Sequence, residues 1–413
     1  MLKSKNNFEN ILIFFFSIFP VSFLIGNLFI NLSIIIISTI YLVGIFLKKI
    51  KFKANDKFFI LLLFFFITLL INLIFTNNIS LSYLRVIKFI FIIFFVLAYR
   101  NLILLENNQL NYVYKFWSLI FIIVCIDLIF EFFSGFNIFG LKSHMPGRLG
   151  GFTGSELVIG NYFSAFVLLT LSFFYRNYYN KKILNIFIAI ILILIAFLIG
   201  ERSNFIKTLI IISLFVFFIY KLNLKHMLFS IILLVFCFAL FLNFNESYKI
   251  RYIKQPLDIL KFNPQKDVVG ISSSLEIYGA HFKVAKEIFK DNPIFGVGIK
   301  NFRIESFDKK YEGVLGLSEK WTGGSTHPHQ IHYEFLSETG IFGYLCFLIF
   351  IILSIYWSFK SYIITKNVYQ FSAMLFVIVN LIPLLPSGSF FTTYSSGLFW
   401  INYAIMVGYV KKY

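Results

Sequence analysis

Apolar residues run through this chain in blocks, not in alternation. Windows of about 17–25 residues are almost purely Phe, Ile and Leu, the length that crosses a bilayer as a helix. The pattern predicts twelve spans, at 11–26, 28–47, 58–75, 84–104, 113–133, 157–175, 183–199, 205–220, 227–243, 331–358, 369–385 and 396–410. The polar interruptions set the orientation. "KKIKFKANDK", "RNYYNKK", "KLNLKH", "KSYIITK" and the final "KKY" fall on alternate connections. Basic loops stay on the cytoplasmic side, so both termini are expected there. The first apolar run lacks a small-residue cleavage site and reads as a first span, not a signal peptide.

One connection breaks the rhythm. Residues 244–330 form a long polar segment, expected on the outer side, between spans nine and ten. The chain thus divides into 1–243 (spans one to nine), 244–330 (the large outer loop) and 331–413 (spans ten to twelve). Within the loop, "SSSLEIYGAHFKVAKEIFKDNP" predicts a helix. His281, Val284, Ala285, Ile288 and Phe289 recur at helical spacing, with Lys283, Lys286, Glu287 and Lys290 elsewhere. Ser272 to Ser274 offer a cap, and Asn292-Pro293 ends the run. Gly296 and Gly298 predict a tight turn after it. The segment is too small for an independent enzyme domain and reads as a lid on the bundle. The fold class is all-α: a polytopic membrane protein with a helical lid.

Composition agrees. Of 413 residues 59% are hydrophobic and 14% charged, too apolar for one soluble core. The net charge of +18 raises nucleic acid as a partner. Basic loops plus anion binding explain it better, and no nucleic-acid partner is expected. Cys125, Cys237 and Cys346 lie in apolar runs with neither metal spacing nor a disulfide framework.

Several basic residues lie on the side that positive charge avoids. Arg85 and Lys88 open span four, Arg148 precedes span six, and Arg202 and Lys207 open span eight. A charge at membrane depth costs about 2.5–3.5 kcal/mol on insertion scales, so such residues tend to face a cavity. Taken singly, each is equally consistent with snorkelling to headgroups. As a set over three helices they predict an anion site. Arg202 leads, since its guanidinium suits bidentate phosphate binding.

"GGSTHPHQIHYEFLSETGIFGY" (323–344) packs three of the six histidines into six residues. Pro328 predicts the first turn of span ten, capped by Ser325 or Thr326. His329, His332 and Tyr333 would then share a face, and Glu334 and Glu338 form an i, i+4 pair. Three chemistries compete with a purely structural interfacial cluster. His327-x-His329 and His329-x-x-His332 could bind zinc, but the spacing matches no zinc-hydrolase motif. A proton relay needs ionisable groups deep in several spans, where Asp127 is the main candidate. A general base needs one neutral imidazole at the surface.

This segment resembles the His-Asn-x-aromatic-Leu, then Glu-x-Gly-x-x-Gly pattern of the bacterial O-antigen ligase and O-antigen polymerase superfamily. His329 falls on the family histidine, with Gln330 where Asn is usual. Glu338, Gly340 and Gly343 fall on the downstream positions. "GERSNF" (200–205) is similar to the family's Ser-Arg-type motif, which puts Arg202 on a family arginine. "AKEIFKDNPIFGVGIKNF" (285–302) is similar to the Asn/His-Pro-hydrophobic-Gly-x-Gly segment of the family's large periplasmic loop. The resemblance covers the second half of the chain; the first half matches mainly in topology. The arginine usual at the start of the loop helix is missing, and His281, Lys283 or Lys286 could replace it.

The resemblance implies glycan transfer from an undecaprenyl-pyrophosphate donor to a sugar hydroxyl, at the periplasmic face of a Gram-negative inner membrane. It implies His329 as catalytic base and Arg202 as a pyrophosphate ligand, with His281 a stand-in for the missing loop arginine; Arg148 and Arg85, from the anion-site reading, are expected to join them on the pyrophosphate. Glu338, Gly296, Gly298 and Gln330 would support them. No Asp-x-Asp motif occurs, so the expected reaction uses no metal and no cofactor, and in-line attack predicts inversion. A ligase would use lipid A-core as acceptor and is favoured by the His segment and Gly-x-Gly loop. A polymerase would use another carrier-linked repeat. A lipid-linked oligosaccharide transporter would need polar residues through the bundle centre, whereas here they gather at one face.

Overall fold

The computed structural model describes residues 7–105, 109–221, 223, 225, 232, 238–257, 274–311, 324–383 and 385–411. Long helices occupy eleven of the twelve expected windows: α1 (Asn7–Ile25), α2 (Asn27–Phe46), α3 (Lys57–Ile74), α4 (Ile79–Leu104), α5 (Leu110–Ser134), α6 (Ile159–Asn177), α7 (Lys182–Leu198), α8 (Arg202–Tyr220), then α10 (Ile331–Thr365), α11 (Val368–Asn380) and α12 (Thr393–Gly408). The ninth window lies largely outside the described residues. Seven of these helices are long and apolar enough to cross a membrane, and α7 and α11 are shorter apolar helices. The protein is an all-helical, multi-pass membrane protein.

Polar side chains mark where the apolar runs start. Asp56 accepts the amide of Phe58 at 2.9 Å, and Asn78 accepts that of Ser80 at 3.1 Å. Asn367 accepts that of Gln370 at 3.0 Å. Each satisfies a first-turn donor that has no partner inside its own helix. Gly135 ends α5 in the left-handed region, where a side chain is disfavoured.

Helix α12 lies at the centre, packed against α4 and α11. Trp400 and Tyr403 on it are fully buried. Phe14, Leu28, Phe46, Phe133 and Phe187 point outward, as lipid-facing side chains would. At one end of the bundle Arg100 ion-pairs with Asp56 at 2.8 Å and donates to the carbonyls of Val407 and Val410. It ties α4 to the last turn of α12.

The loop helix α9 (Ser274–Asp291) forms as expected from Ser274 on; Ser272 and Ser273 lie outside the described residues. It buries His281, Val284, Ala285 and Ile288. The last three pack with Val297, Phe302 and Tyr311 in a small core separate from that of the bundle. Phe282 stacks on Tyr333 of α10 at 5.0 Å, which seats the lid.

Helix α10 is broken near its start. Gly340 has φ 64 and ψ −170, so 331–339 and 341–365 are two segments. A break strands backbone groups that hydrocarbon cannot satisfy. Residues 293–298 satisfy them. Ile341 donates to Pro293 O at 2.8 Å, Val297 to Ser337 O at 3.0 Å and Gly298 to Glu338 O at 2.8 Å. Asn72 Nδ2 adds bonds to Phe295 O and Glu338 O. The glycines permit the approach. A Cβ on Gly340 would lie 2.3 Å from Ile294 O, and one on Gly296 2.5 Å from the carbonyl carbon of Glu338. The two resembling motifs are thus the two halves of one backbone joint.

Candidate active site

The joint carries the histidines. Helix α10 begins at Ile331, not at Pro328, because Gln330 takes the cap. Gln330 Oε1 accepts the amides of His332 at 2.7 Å and Tyr333 at 3.0 Å, and its Nε2 donates to Pro383 O at 3.1 Å. That corrects two expectations. Ser325 and Thr326 do not cap the helix, and His329 shares no helical face with His332 and Tyr333. His329 stands outside the helix at φ 56, a region few non-glycine residues adopt. Its carbonyl is held by the amide of Ser387 at 2.8 Å.

Three imidazoles converge there. His327 lies 4.0 Å from His329 between ring centroids, and His281 of α9 lies 5.5 Å from it. Burial and the neighbouring His281 push His329 down to about 4. Burial and His329 hold His327 well below the usual histidine range. Both are neutral near pH 7. Among the described residues, no group of three His, Cys or carboxylate side chains is arranged to hold a metal ion. His332 faces away: its Nδ1 pairs with Tyr344 Oη at 2.9 Å and its Nε2 with Leu381 O at 2.8 Å.

Two buried carboxylates stand behind the histidines. Glu338 accepts the amide of Lys300 at 2.8 Å. Glu334 accepts the Ser389 hydroxyl and the Phe390 amide. Lys300, itself at φ 64, donates to Ser389 Oγ at 3.2 Å. The network fixes the 386–390 loop that holds His329. Gly298 closes the turn: a Cβ there would meet Thr76 Oγ1 at 1.7 Å.

The arginines expected at the outer mouth fall into two groups. Arg148 ion-pairs with Glu201 and donates to Leu157 O at 2.7 Å, while its Nε is buried without a partner. Arg202 donates to the carbonyl of Arg251 at 3.2 Å. Arg251 donates to the Gly200 carbonyl. Burial, then the guanidiniums of Arg148 and Arg202, pull Arg251 down to about 10. Gly200 makes this crowding possible, since a Cβ on it would lie 1.9 Å from Gly147 O. Arg85 belongs to the other group, with Lys88 and Thr393. His281 stands at the histidines.

Sequence reasoning missed Arg251, which follows the ninth window in "ESYKIRYIK". Nothing in its local pattern separates it from a loop residue; only the turn over Ile250–Lys254 brings it back to Gly200. A small, mostly apolar gap lies between Ile331, Phe376, Phe390 and Leu398, with Asn161, Asn380, Ser387 and Ser395 as its polar lining. Ser387 holds His329, and Asn380 accepts from Lys207 at 3.4 Å. Asp127, the relay candidate, accepts the Ile138 amide at 2.9 Å and anchors a loop.

Residues 187–348 match the family described as O-antigen ligase. Among curated proteins none matches the chain. The matched region runs from α7 through the loop helix to the broken α10, and so includes Arg202, Arg251, the joint and the histidines.

Proposed function

We propose that this chain, which carries an O-antigen ligase family domain, moves a glycan from an undecaprenyl-pyrophosphate donor to a sugar hydroxyl on lipid A-core. The single observation that supports this reading best is the cluster of crowded guanidiniums at Arg148, Arg202 and Arg251, in a chain that also holds a half-buried neutral imidazole at His329. A base and an anion clamp are what displacement of a pyrophosphate by a hydroxyl needs.

Arg202, Arg148 and Arg251 hold the pyrophosphate, and the buried Nε of Arg148 gains a partner when it binds. The acceptor hydroxyl attacks the anomeric carbon from the face opposite the pyrophosphate. A glycosidic C–O bond forms as the C–O bond to pyrophosphate breaks, with inversion. The leaving oxygen keeps the electron pair, and the arginines stabilise its charge as it develops. His329 takes the proton of the hydroxyl. Its empty-site pKa makes it a weak base, but the bound pyrophosphate anion favours the imidazolium and raises it. Gln330, Glu338, Gly296 and Gly298 keep His329 in place. The proposed base and anion clamp call for no metal, and transfer that continues in excess EDTA is the expected check.

The setting is the inner membrane of a Gram-negative cell, with both termini cytoplasmic and the histidines periplasmic. The lipid tail of the donor stays in the bilayer while its sugars enter beneath the lid. Joining of two carrier-linked repeats is the second reading, since the same chemistry serves it. Deletion of the gene followed by lipopolysaccharide gel analysis separates them. Loss of the whole ladder with carrier-linked polymer retained is the expected result. A core bearing one repeat assigns the polymerase, and an unchanged ladder removes both.

A further inference from the structure

Basic side chains gather a second time at the histidine end of the bundle. Arg85 and Lys88 lie roughly two turns or more into α4, deeper than their position in the sequence suggested. Both reach Thr393 Oγ1, at 3.4 and 3.3 Å, and Lys88 also donates to Asn31 Oδ1. Thr393 opens α12. Arg85, Lys88 and Thr393 line a small pocket together with the apolar side chains of Leu69, Phe89, Phe391 and Trp400. Arg303, exposed on the turn after the Gly296–Gly298 segment, lies within electrostatic reach of Arg85. Arg303 and Lys300 in turn lie within reach of His327. Lys300 is balanced by Glu334 and Glu338. Among the described residues, no carboxylate ion-pairs with Arg85, Lys88 or Arg303.

For Arg85 and Lys88, inside α4, unbalanced charge is costly unless an anion meets it. The donor needs one anion clamp, and Arg148, Arg202 and Arg251 supply it. The second basic group stands beside the same histidines on a different set of helices. Its mixed basic and apolar walls suit the phosphate of a lipid. We infer that Arg85, Lys88 and Arg303 form a second anion site that holds a phosphate of the acceptor. This rests on the transfer reading above. The pocket is then a positioning site: it sets the acceptor hydroxyl against His329 and takes no part in the bond change.

The test is acceptor titration with purified protein in nanodiscs, using lipid A-core with and without phosphatase treatment. Arg303→Gln, at an exposed position, tests the charge with little risk to folding; Arg85→Gln/Arg303→Gln removes more of it. The double variant is expected to raise the acceptor KM about tenfold or more, with the donor KM within about twofold. Dephosphorylated acceptor is expected to show the raised KM with the wild-type protein, and the variants to add nothing to it. Equal weakening toward both acceptor forms would overturn the assignment, as would a shift in donor KM instead. So would a response to anionic nanodisc lipid with none to acceptor phosphate, which would make the pocket a headgroup site. Absence of transfer by the wild type to either acceptor would sink the transfer reading itself.

Discussion

His329 carries its imidazole on a left-handed backbone at φ 56, held by a cap on one side and by Ser387 on the other. Strain of this kind costs on the order of 1–3 kcal/mol and persists only where surrounding contacts impose it. Removing the imidazole tests its use. A positioned base contributes about 10²–10⁴-fold, so His329→Ala is expected to lose that much transfer while protein level and donor binding persist. His332→Ala removes a side chain tied to Tyr344 and Leu381, and is expected to lose far less. The pH profile gives a second check. Burial and His281 depress His329 to about 4, so its neutral form prevails above that pH and is lost below it. The acid limb of kcat/KM, which reports the free enzyme, is therefore expected near pH 4–5. An acid limb at 6.5 or higher would remove His329 as the base. Arg251 is the residue that its local sequence does not announce. Arg251→Lys keeps a charge but loses the fork, and Arg251→Ala loses both. Donor KM is expected to rise in that order, by about tenfold or more for alanine. An unchanged donor KM for Arg251→Ala would confine the clamp to Arg148 and Arg202.

At the scale of elements, the joint between residues 293–298 and the break in α10 decides whether the site exists. The "NPIFGVG" and "ETG" patterns were legible as motifs, but neither shows that it completes the other. Their reason is mutual: each glycine clears space for the other strand of backbone, and the bonds from Ile341, Val297 and Gly298 replace those that the break removes. Gly340→Ala is expected to destabilise the purified protein by about 1–3 kcal/mol and to reduce transfer, because its Cβ meets Ile294 O at 2.3 Å and its φ of 64 is disfavoured. Gly279→Ala is the control. It lies in α9 with nothing within 4 Å of a built Cβ, so the helix is expected to gain slightly. Thermal unfolding in detergent compares them, and equal melting temperatures would show that the joint carries no strain. Helices of the bundle were readable because a bilayer-length apolar run has few alternatives. The start of α10 was misread because Pro328 is a plausible first-turn residue, while the capping by Gln330 depends on Pro383, which lies far along the chain.

At the scale of the molecule, the parity of the short loops and the position of the chemistry make one joint claim. Arg202 at the start of α8, Arg148 before α6, Arg85 in the early turns of α4 and the histidines before α10 lie toward one end of the bundle. Arg100, Asp56 and the last turn of α12 lie at the other. That clustering could not be read from any single motif, because it depends on every helix reversing direction in turn. By the positive-inside rule the basic loops lead us to expect the histidine end outside. The proposed transfer asks for the same side, since on that reading the acceptor's sugars arrive from water and the donor's lipid stays in the bilayer. Ser325, half-buried and near His329, reports on both. In a background lacking Cys125, Cys237 and Cys346, Ser325→Cys is expected to react with an impermeant thiol reagent in intact spheroplasts. Pre-incubation with carrier-linked donor is expected to slow that reaction, because the glycan enters beneath the lid beside this residue. Labelling that appears only after lysis would invert the bundle and put the imidazoles in the cytoplasm. A lipid-linked glycan facing the periplasm could then not reach them.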